Sequence, residues 1–405
     1  VFNKNVTLQN SYAKNDENSS IPQGSSISSH SFLNKMLGKG SVFFIRGLLG
    51  AGIILAIVLI LNWKEIFNLN WKGFAIIFSV YVLSFSIISF KYSGTDSGPK
   101  LLDMHRGINI GNALEAPKGE KWDVVMKEEY IDKIASAGFD TVRIPIRFSD
   151  YVDASNDYEL EDDFMKTVDY FIKYALSKDL NVVMDMHHFE EIMENPLDYR
   201  ESFLKMWDEL SKRYSGYSEK LAYEVLNEPT DNLNGSLWNE FLKEAVETIR
   251  KNDKTKYIVI GGDDFGSYKG VLNLKIPNDD KLIVTFHYYD PNDFTFQGEQ
   301  YHEGYENLHD IHWNNTEEER LVIINAFKEV KKFADKNGVK VFLGEFGANK
   351  NAPYGDRVLW TKAVREIAEE NGFSWGYWEM ASGFGIYDVN THKFDEEMLR
   401  ALGIN

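Results

Sequence analysis

The chain has 405 residues, of which 43% are hydrophobic and 26% charged, with a formal net charge of -18. That balance fits a globular protein with room for one large domain and appendages, and the acidity argues against nucleic acid as a partner, since phosphate binding needs clustered Lys and Arg. There are no cysteines, which excludes disulfides and Cys-ligated metals.

Residues 1–40 are rich in Ser, Asn and Lys, show no apolar period and read as a disordered polar tail. Two apolar runs follow within residues 41–91. The first is Gly47 to Leu61, extended beyond Arg46 by Val42 to Ile45, and the second is Phe74 to Phe90. Each is near the lower end of the roughly 17 to 25 residues that span a bilayer. The polar connection Asn62 to Gly73 carries Trp63 and Trp71 near its ends, where tryptophan suits a membrane interface. The expectation is an N-terminal membrane-spanning segment or hairpin, with the membrane engaged through residues 42–90. Lys35, Lys39, Arg46, Lys91 and Lys100 flank the outer sides against Lys64 and Lys72 in the connection. This charge bias would leave the remainder of the chain in the cytoplasm.

Residues 92–100 form a Gly/Ser linker. From 101 to 405 short apolar runs alternate with helical patterns. The runs are Gly107–Ile110, Thr141–Pro145, Asn181–Met186, Leu221–Leu226, Tyr257–Gly261, Leu282–Phe286, Val339–Leu343 and Ser374–Trp378. Amphipathic segments between them include Glu128–Ala137, Asp163–Ser177, Arg200–Tyr214, Leu237–Lys251, Glu317–Lys336 and Leu359–Asn371. Such alternation gives a parallel sheet, and eight units at this length predict an α/β fold of the (β/α)8 TIM-barrel type. The insert Asp290 to Asn315, aromatic and acidic, is expected to form a cleft wall.

A barrel keeps its chemistry at the C-terminal ends of its strands. Reactive side chains recur there: Asn112, Arg143, His187, His188, Asn227, Glu228, His287, Tyr289, Glu345, Trp378 and Glu379. Two apolar strands each ending in a glutamate, Glu228 and Glu345, suggest two carboxylates facing one bond. Glu224 reads as a structural group inside the barrel. A metal at His187 and His188 would need a further ligand; Asp185 is better placed as a buried barrel residue. Glu379 is open between a sugar ligand and an ion-pair partner. Phe171, Tyr174, Phe203, Trp207 and Tyr214 read as core.

These stretches resemble glycoside hydrolase family 5, of the cellulase (endo-β-1,4-glucanase) type. The matching segments are Arg106-Gly-Ile-Asn-Ile-Gly-Asn-Ala-Leu-Glu, Val142-Arg-Ile-Pro-Ile-Arg, Val183-Met-Asp-Met-His-His, Leu226-Asn-Glu-Pro, Phe286-His-Tyr-Tyr-Asp-Pro, Gly344-Glu-Phe-Gly, Trp375-Gly-Tyr-Trp-Glu and Ser382-Gly-Phe-Gly-Ile-Tyr-Asp. The resemblance covers residues 101–405 and none of the chain before them. It implies a retaining, endo-acting hydrolase of β-1,4-glucan, with mannan, xyloglucan or mixed-linkage glucan as alternatives. A glycan-binding barrel without catalysis is the reading from another class. By the resemblance, Glu228 is the acid/base, Glu345 the nucleophile, and Arg143 and Tyr289 the partners of Glu345. Asn227 grips the 2-hydroxyl, His187 and His287 shape the site, and Trp378 is the floor on which the sugar stacks. His188 and Asn112 are candidates for substrate contact. No metal or other cofactor is implied. A polymer-degrading enzyme is expected outside the cell, against the charge bias of the flanks. Phe265, Phe296 and Tyr301 stand where relatives often carry Trp, His and Trp; these departures bear on substrate preference.

Overall fold

The computed structural model describes residues 102–300 and 304–404. The two apolar runs, the polar tail, the linker and Tyr301 lie outside these residues. Among the described residues no helix is long and apolar enough to cross a membrane.

Eight parallel strands close a barrel: β1 (Arg106–Asn109), β2 (Thr141–Ile146), β3 (Asn181–Met186), β4 (Leu221–Glu224), β5 (Ile258–Gly261), β6 (Leu282–Tyr288), β7 (Lys340–Phe346) and β8 (Ser374–Tyr377). Each is hydrogen-bonded to its neighbours in sequence order, and β8 returns to β1. Each strand is followed by a helix: α1 (Glu128–Ala137), α2 (Asp162–Ser177), α3 (Pro196–Tyr214), α4 (Gly235–Asn252), α5 (Tyr268–Leu272), α6 (Glu317–Asn337), α7 (Tyr354–Glu370) and α8 (Glu396–Ala401). This is the expected TIM barrel. The sequence reading missed the short α5 and α8, whose few residues give too little apolar period to see. Strand β4 stops at Glu224, two residues before the expected Leu226. Single backbone bonds continue the contact, from Val225 N to Val259 O and from Asn227 N to Met186 O.

Strand alternation sorts the side chains. In β6, Leu282, Val284, Phe286 and Tyr288 pack outward into the main core under the helices, while Ile283 joins a separate cluster inside the barrel. That cluster is Val183, Ala222, Val259, Ile283 and Phe342, closed off by Leu102 and Met104 from the chain entering β1. It forms an apolar floor. Of the helix aromatics, Phe203, Trp207 and Tyr214 are buried, and Phe171 and Tyr174 pack half-buried against the core. Helix α6 shows local determinants: Thr316 and Glu319 make a reciprocal capping box, and Gly338 ends the helix at φ 68°.

One irregularity positions the site. Phe286 of β6 pairs with Leu343 of β7, but the next residue, His287, pairs with Glu345. Gly344 is the extra residue of a β-bulge, a device that re-aims side chains. Inward positions on β7 therefore run from Phe342 to Glu345. A Cβ on Gly344 would meet Thr285 Oγ1 at 2.6 Å and His287 Nε2 at 3.2 Å; only glycine leaves that space.

Candidate active site

Directly above the apolar floor lies a layer of buried ionic groups. Arg143 is fully buried on β2. Its Nε and Nη2 donate to the two oxygens of Glu224, at 2.7 and 2.9 Å. Nη1 donates to Glu345 Oε1 at 2.7 Å and Asn109 Oδ1 at 3.0 Å. Nη2 also reaches Asn227 Oδ1 and Asp185 Oδ2, both at 2.9 Å. Burial by itself would lower the guanidinium pKa, but Asp185, Glu224 and Glu345 outweigh it and keep the arginine charged.

One cation thus faces three carboxylates, and they divide. Glu345 is held down at about 2: burial pushes it up, but His287 and Arg143 pull it lower, and Tyr289 Oη donates to its Oε2 at 2.8 Å. Asp185 goes the other way, to about 7, because burial outweighs Arg143. Glu224 is also raised by burial against the pull of Arg143. The layer keeps Glu345 ionised and holds its proton-binding capacity on the groups behind it.

Glu228 approaches from the end of β4 at φ 48°. A non-glycine residue in this left-handed region carries strain of about 1–3 kcal/mol, a feature that clusters at functional sites. His287 Nδ1 lies 2.6 Å from Glu228 Oε1 and 3.6 Å from Glu345 Oε2. A Glu228 oxygen, a His287 nitrogen and a Glu345 oxygen all fall within 4.8 Å of one another. The environments differ: the Glu228 side chain is 29% exposed and that of Glu345 6%. Burial would lower the His287 pKa, but the charges of Glu345 and Glu228 raise it.

These groups open onto a cleft of about 760 Å³ lined by Asn112, His187, His188, Asn227, Trp378 and Glu379 among others, a size typical of ligand sites. Trp378 lies parallel to the His187 ring, with centroids 5.8 Å apart. All eleven strand-end residues singled out from the sequence meet at this cleft or directly beneath it, Arg143 being the one that lies wholly beneath. Glu379 is buried, accepts from the backbone N–H groups of Ala381 and Ser382 at 2.7 and 2.6 Å, and is pushed by burial up to about 7. Within the insert, Asp290, Asn292, Phe296, Glu299 and Tyr305 line the cleft, as does the 60% exposed Phe265 on the loop after the neighbouring strand β5.

Sequence reasoning passed over Glu115, Trp122, Asp123 and Asn109. Glu115 is fully buried beside His187 and His188, and Trp122 sets its edge against His188 at 5.5 Å. Strand position was the signal used, and the first three of these come from the long loop after β1. His187 is lowered to about 3 by burial and by His188. His188, which burial alone would also lower, is raised to about 9 by Glu115 and Glu190 beside it. Two groups of metal-ligating side chains occur among the described residues: Glu228, His287 and Glu345, and Glu115, His187 and His188. In the first, the 2.6 Å Nδ1–Oε1 contact is a hydrogen bond with no space for an ion between the atoms.

Residues 109–383 match the family model described as cellulase, glycosyl hydrolase family 5. Among solved structures, the chain is similar to cellulose synthase subunit Z of Clostridioides difficile, at 50% identity and TM-score 0.73, covering 74% of this chain and 99% of that one. It is also similar to Thermotoga maritima Cel5A solved with mannotriose, at 41% identity and TM-score 0.72, covering 75% and 98%; the same enzyme is solved with cellobiose. Endoglucanase H of Acetivibrio thermocellus is 31% identical over 76% of this chain. The chain spans about a third of that protein's length, 34%.

Proposed function

The chain belongs to glycosyl hydrolase family 5 and is a glycoside hydrolase of the endoglucanase type, and within that family we propose that it cleaves internal β-1,4-glucosidic bonds with retention of configuration. The observation that carries this is the asymmetric pair: Glu228 and Glu345 oxygens within 4.8 Å, one partly exposed to the cleft and one buried against Arg143. Retaining enzymes hold their carboxyl groups about 5–5.5 Å apart, inverting ones about 6.5–9.5 Å.

Glu345, ionised and aimed by Arg143 and Tyr289, attacks the anomeric carbon. Glu228 protonates the departing glycosidic oxygen, then takes a proton from the water that releases the glycosyl–enzyme ester. His287 fixes the Glu228 carboxyl through its 2.6 Å contact. With its Oδ1 held by Arg143, Asn227 has Nδ2 as its donor toward the 2-hydroxyl of the sugar. Trp378 is the stacking surface. His188 and Asn112 meet the sugar chain further along the cleft wall.

The test is hydrolysis of β-1,4-glucan, mannan, xyloglucan and mixed-linkage glucan, with proton NMR of the first-formed anomer and Glu345→Gln as control. Release from β-1,4-glucan with the β-anomer first supports the reading; an α-anomer first sinks retention. Faster release from mannan would favour the mannanase alternative, which the Thermotoga complexes with mannotriose and cellobiose motivate.

A membrane tether through residues 42–90, with the barrel outside, is part of the same proposal. It is motivated by the two apolar runs with Trp63 and Trp71 at their inner ends, and by similarity to a protein named as a cellulose synthase subunit. Protease digestion of intact cells checks it: a barrel protected until the cells are lysed would place it inside.

A further inference from the structure

We propose that Phe296 and Phe384 are positioning residues: they brace the ring of Tyr289 and through it hold the Glu345 carboxylate at the angle from which it attacks, a role that rests on Glu345 being the nucleophile. Each oxygen of that carboxylate has its own donor. Oε1 accepts from Arg143 Nη1 at 2.7 Å, and Oε2 from Tyr289 Oη at 2.8 Å. The two donors differ in how they are fixed. Arg143 is fully buried and tied through the rest of its guanidinium to Glu224 and Asn227. Tyr289 is partly exposed at the cleft, and the torsion that turns a tyrosine ring has a broad well. Its hydroxyl stays on Glu345 only as far as packing holds the ring.

That packing comes from two loops that flank β7. The insert after β6 brings Phe296, whose ring centroid lies 4.9 Å from that of Tyr289 at an interplanar angle of 41°. The loop after β8 brings Phe384, 6.1 Å away and nearly edge-on at 76°. The two phenylalanines meet each other at 5.6 Å and 67°. All three separations lie in the range of about 4.5–7 Å where aromatic rings attract, and none is the parallel sandwich that the ring quadrupoles disfavour.

Each brace is fixed from behind. Phe296 follows a helical turn, Asn292–Thr295. Thr295 Oγ1 donates to the Tyr289 carbonyl at 2.6 Å, and the Thr295 carbonyl accepts from the Asn349 N–H at 2.8 Å. The Phe384 carbonyl accepts from Arg357 Nη2 at 2.5 Å and from Tyr377 Oη at 3.0 Å. Arg357 is itself buried, with Nε on the Ala348 carbonyl and Nη2 also on that of Gly385, both at 2.9 Å. This guanidinium ties the loops after β7 and β8 to α7. The Phe384 ring packs beside Gly347, two residues beyond Glu345, where a Cβ would meet its Cδ1 at 3.4 Å. With Tyr289 loosened, the carboxylate is free to pivot about its bond to Arg143.

The experiment takes the full chain and a dinitrophenyl 2-deoxy-2-fluoro-cellobioside. Attack by a Glu345 oxygen forms an ester to the anomeric carbon and expels dinitrophenolate, whose absorbance gives the rate while mass spectrometry locates the label. This leaving group needs no proton, so Glu228 does not enter. A misplacement of about 1 Å can cost about 10²-fold, and a brace that is loosened rather than removed should cost roughly 10-fold. Phe296→Leu should therefore form the ester roughly 10-fold more slowly at saturation, with the half-saturating concentration little changed, and Phe296→Tyr should recover most of that loss. In Tyr289→Phe, which lacks the hydroxyl, adding Phe296→Leu should cost nothing further, because groups that act through one another are not additive. Phe384→Leu should behave as Phe296→Leu does. Thermal melts establish that each variant is folded; if Phe384→Leu is not, Phe296→Leu decides. An ester rate in Phe296→Leu equal to that of the native protein would overturn the brace. So would the same fold loss with and without the Tyr289 hydroxyl, which would make Phe296 a direct glycan contact or a purely structural group. Absence of any ester at Glu345 in the native protein would instead refute the retaining reading itself, and the positioning role with it.

Discussion

The barrel interior holds two layers a few residues apart on the same strands, and they obey opposite rules. Below, Val183, Ala222, Val259, Ile283 and Phe342 fill space. Above, Arg143, Asp185, Glu224 and Glu345 are as deeply buried, yet each is held by partners of opposite charge or by specific donors. In the floor each side chain contributes in proportion to the area it removes from water, so the loss of a methyl is local. In the ionic layer the members are not separable: removing one leaves the others buried and uncompensated. The apolar layer closes the barrel; the ionic layer sets the protonation of Glu345, the proposed nucleophile.

That contrast can be broken at graded cost. Glu345→Gln should lower kcat on β-glucan by about 10⁴-fold or more, with the protein still folded, because the proposed nucleophile is lost. Glu228→Gln should cost about 10²–10⁴-fold, and much less on an aryl cellobioside whose leaving group needs no proton; equal losses on both substrates would contradict the division of roles. Arg143→Met should destabilise the fold by about 3–5 kcal/mol, read as the urea midpoint, since three carboxylates lose their cation. Ile283→Val in the floor should cost only about 0.5–1.5 kcal/mol and leave kcat unaltered.

The finest test uses pH. Glu345 is depressed from an ordinary 4.5 to about 2, so its contribution to stability is present above pH 4.5 and lost as pH falls from there toward 2. The stability gap between the native protein and Glu345→Gln should therefore narrow on acidification, while the penalty of Ile283→Val should stay constant. A gap that is flat with pH would show that the layer does not act on Glu345 as described.

The repeating pattern made the barrel legible, because outward strand residues and helix stripes must be apolar wherever they meet. Strand-end polar residues were legible for a related reason: the closed sheet brings all eight ends to one rim. What the sequence concealed depends on assembly in three dimensions. Glu115 looks like any acid in a loop, and only the folding of the loop after β1 over the strand ends brings it against His187, two strands away. Glu224 and Asp185 could be placed inside, but not their opposite balance against Arg143 and Glu345, which is a property of the assembled group. The end of β4 at Glu224 was concealed too, since Val225 and Leu226 are as apolar as the strand before them.

The bulge in β7 has its own consequence. A strand is a two-state counter, in which each step flips a side chain from one face to the other. Adding one step at Gly344 reverses the count, so a glutamate that an unbroken tally would aim at the helices is delivered to the interior beside His287. The residue responsible has no side chain, and the room it leaves is taken by Thr285 and His287. Position 344 thus governs where the Glu345 carboxylate sits while contributing no reactive atom of its own, and an inventory of chemical groups would pass over it.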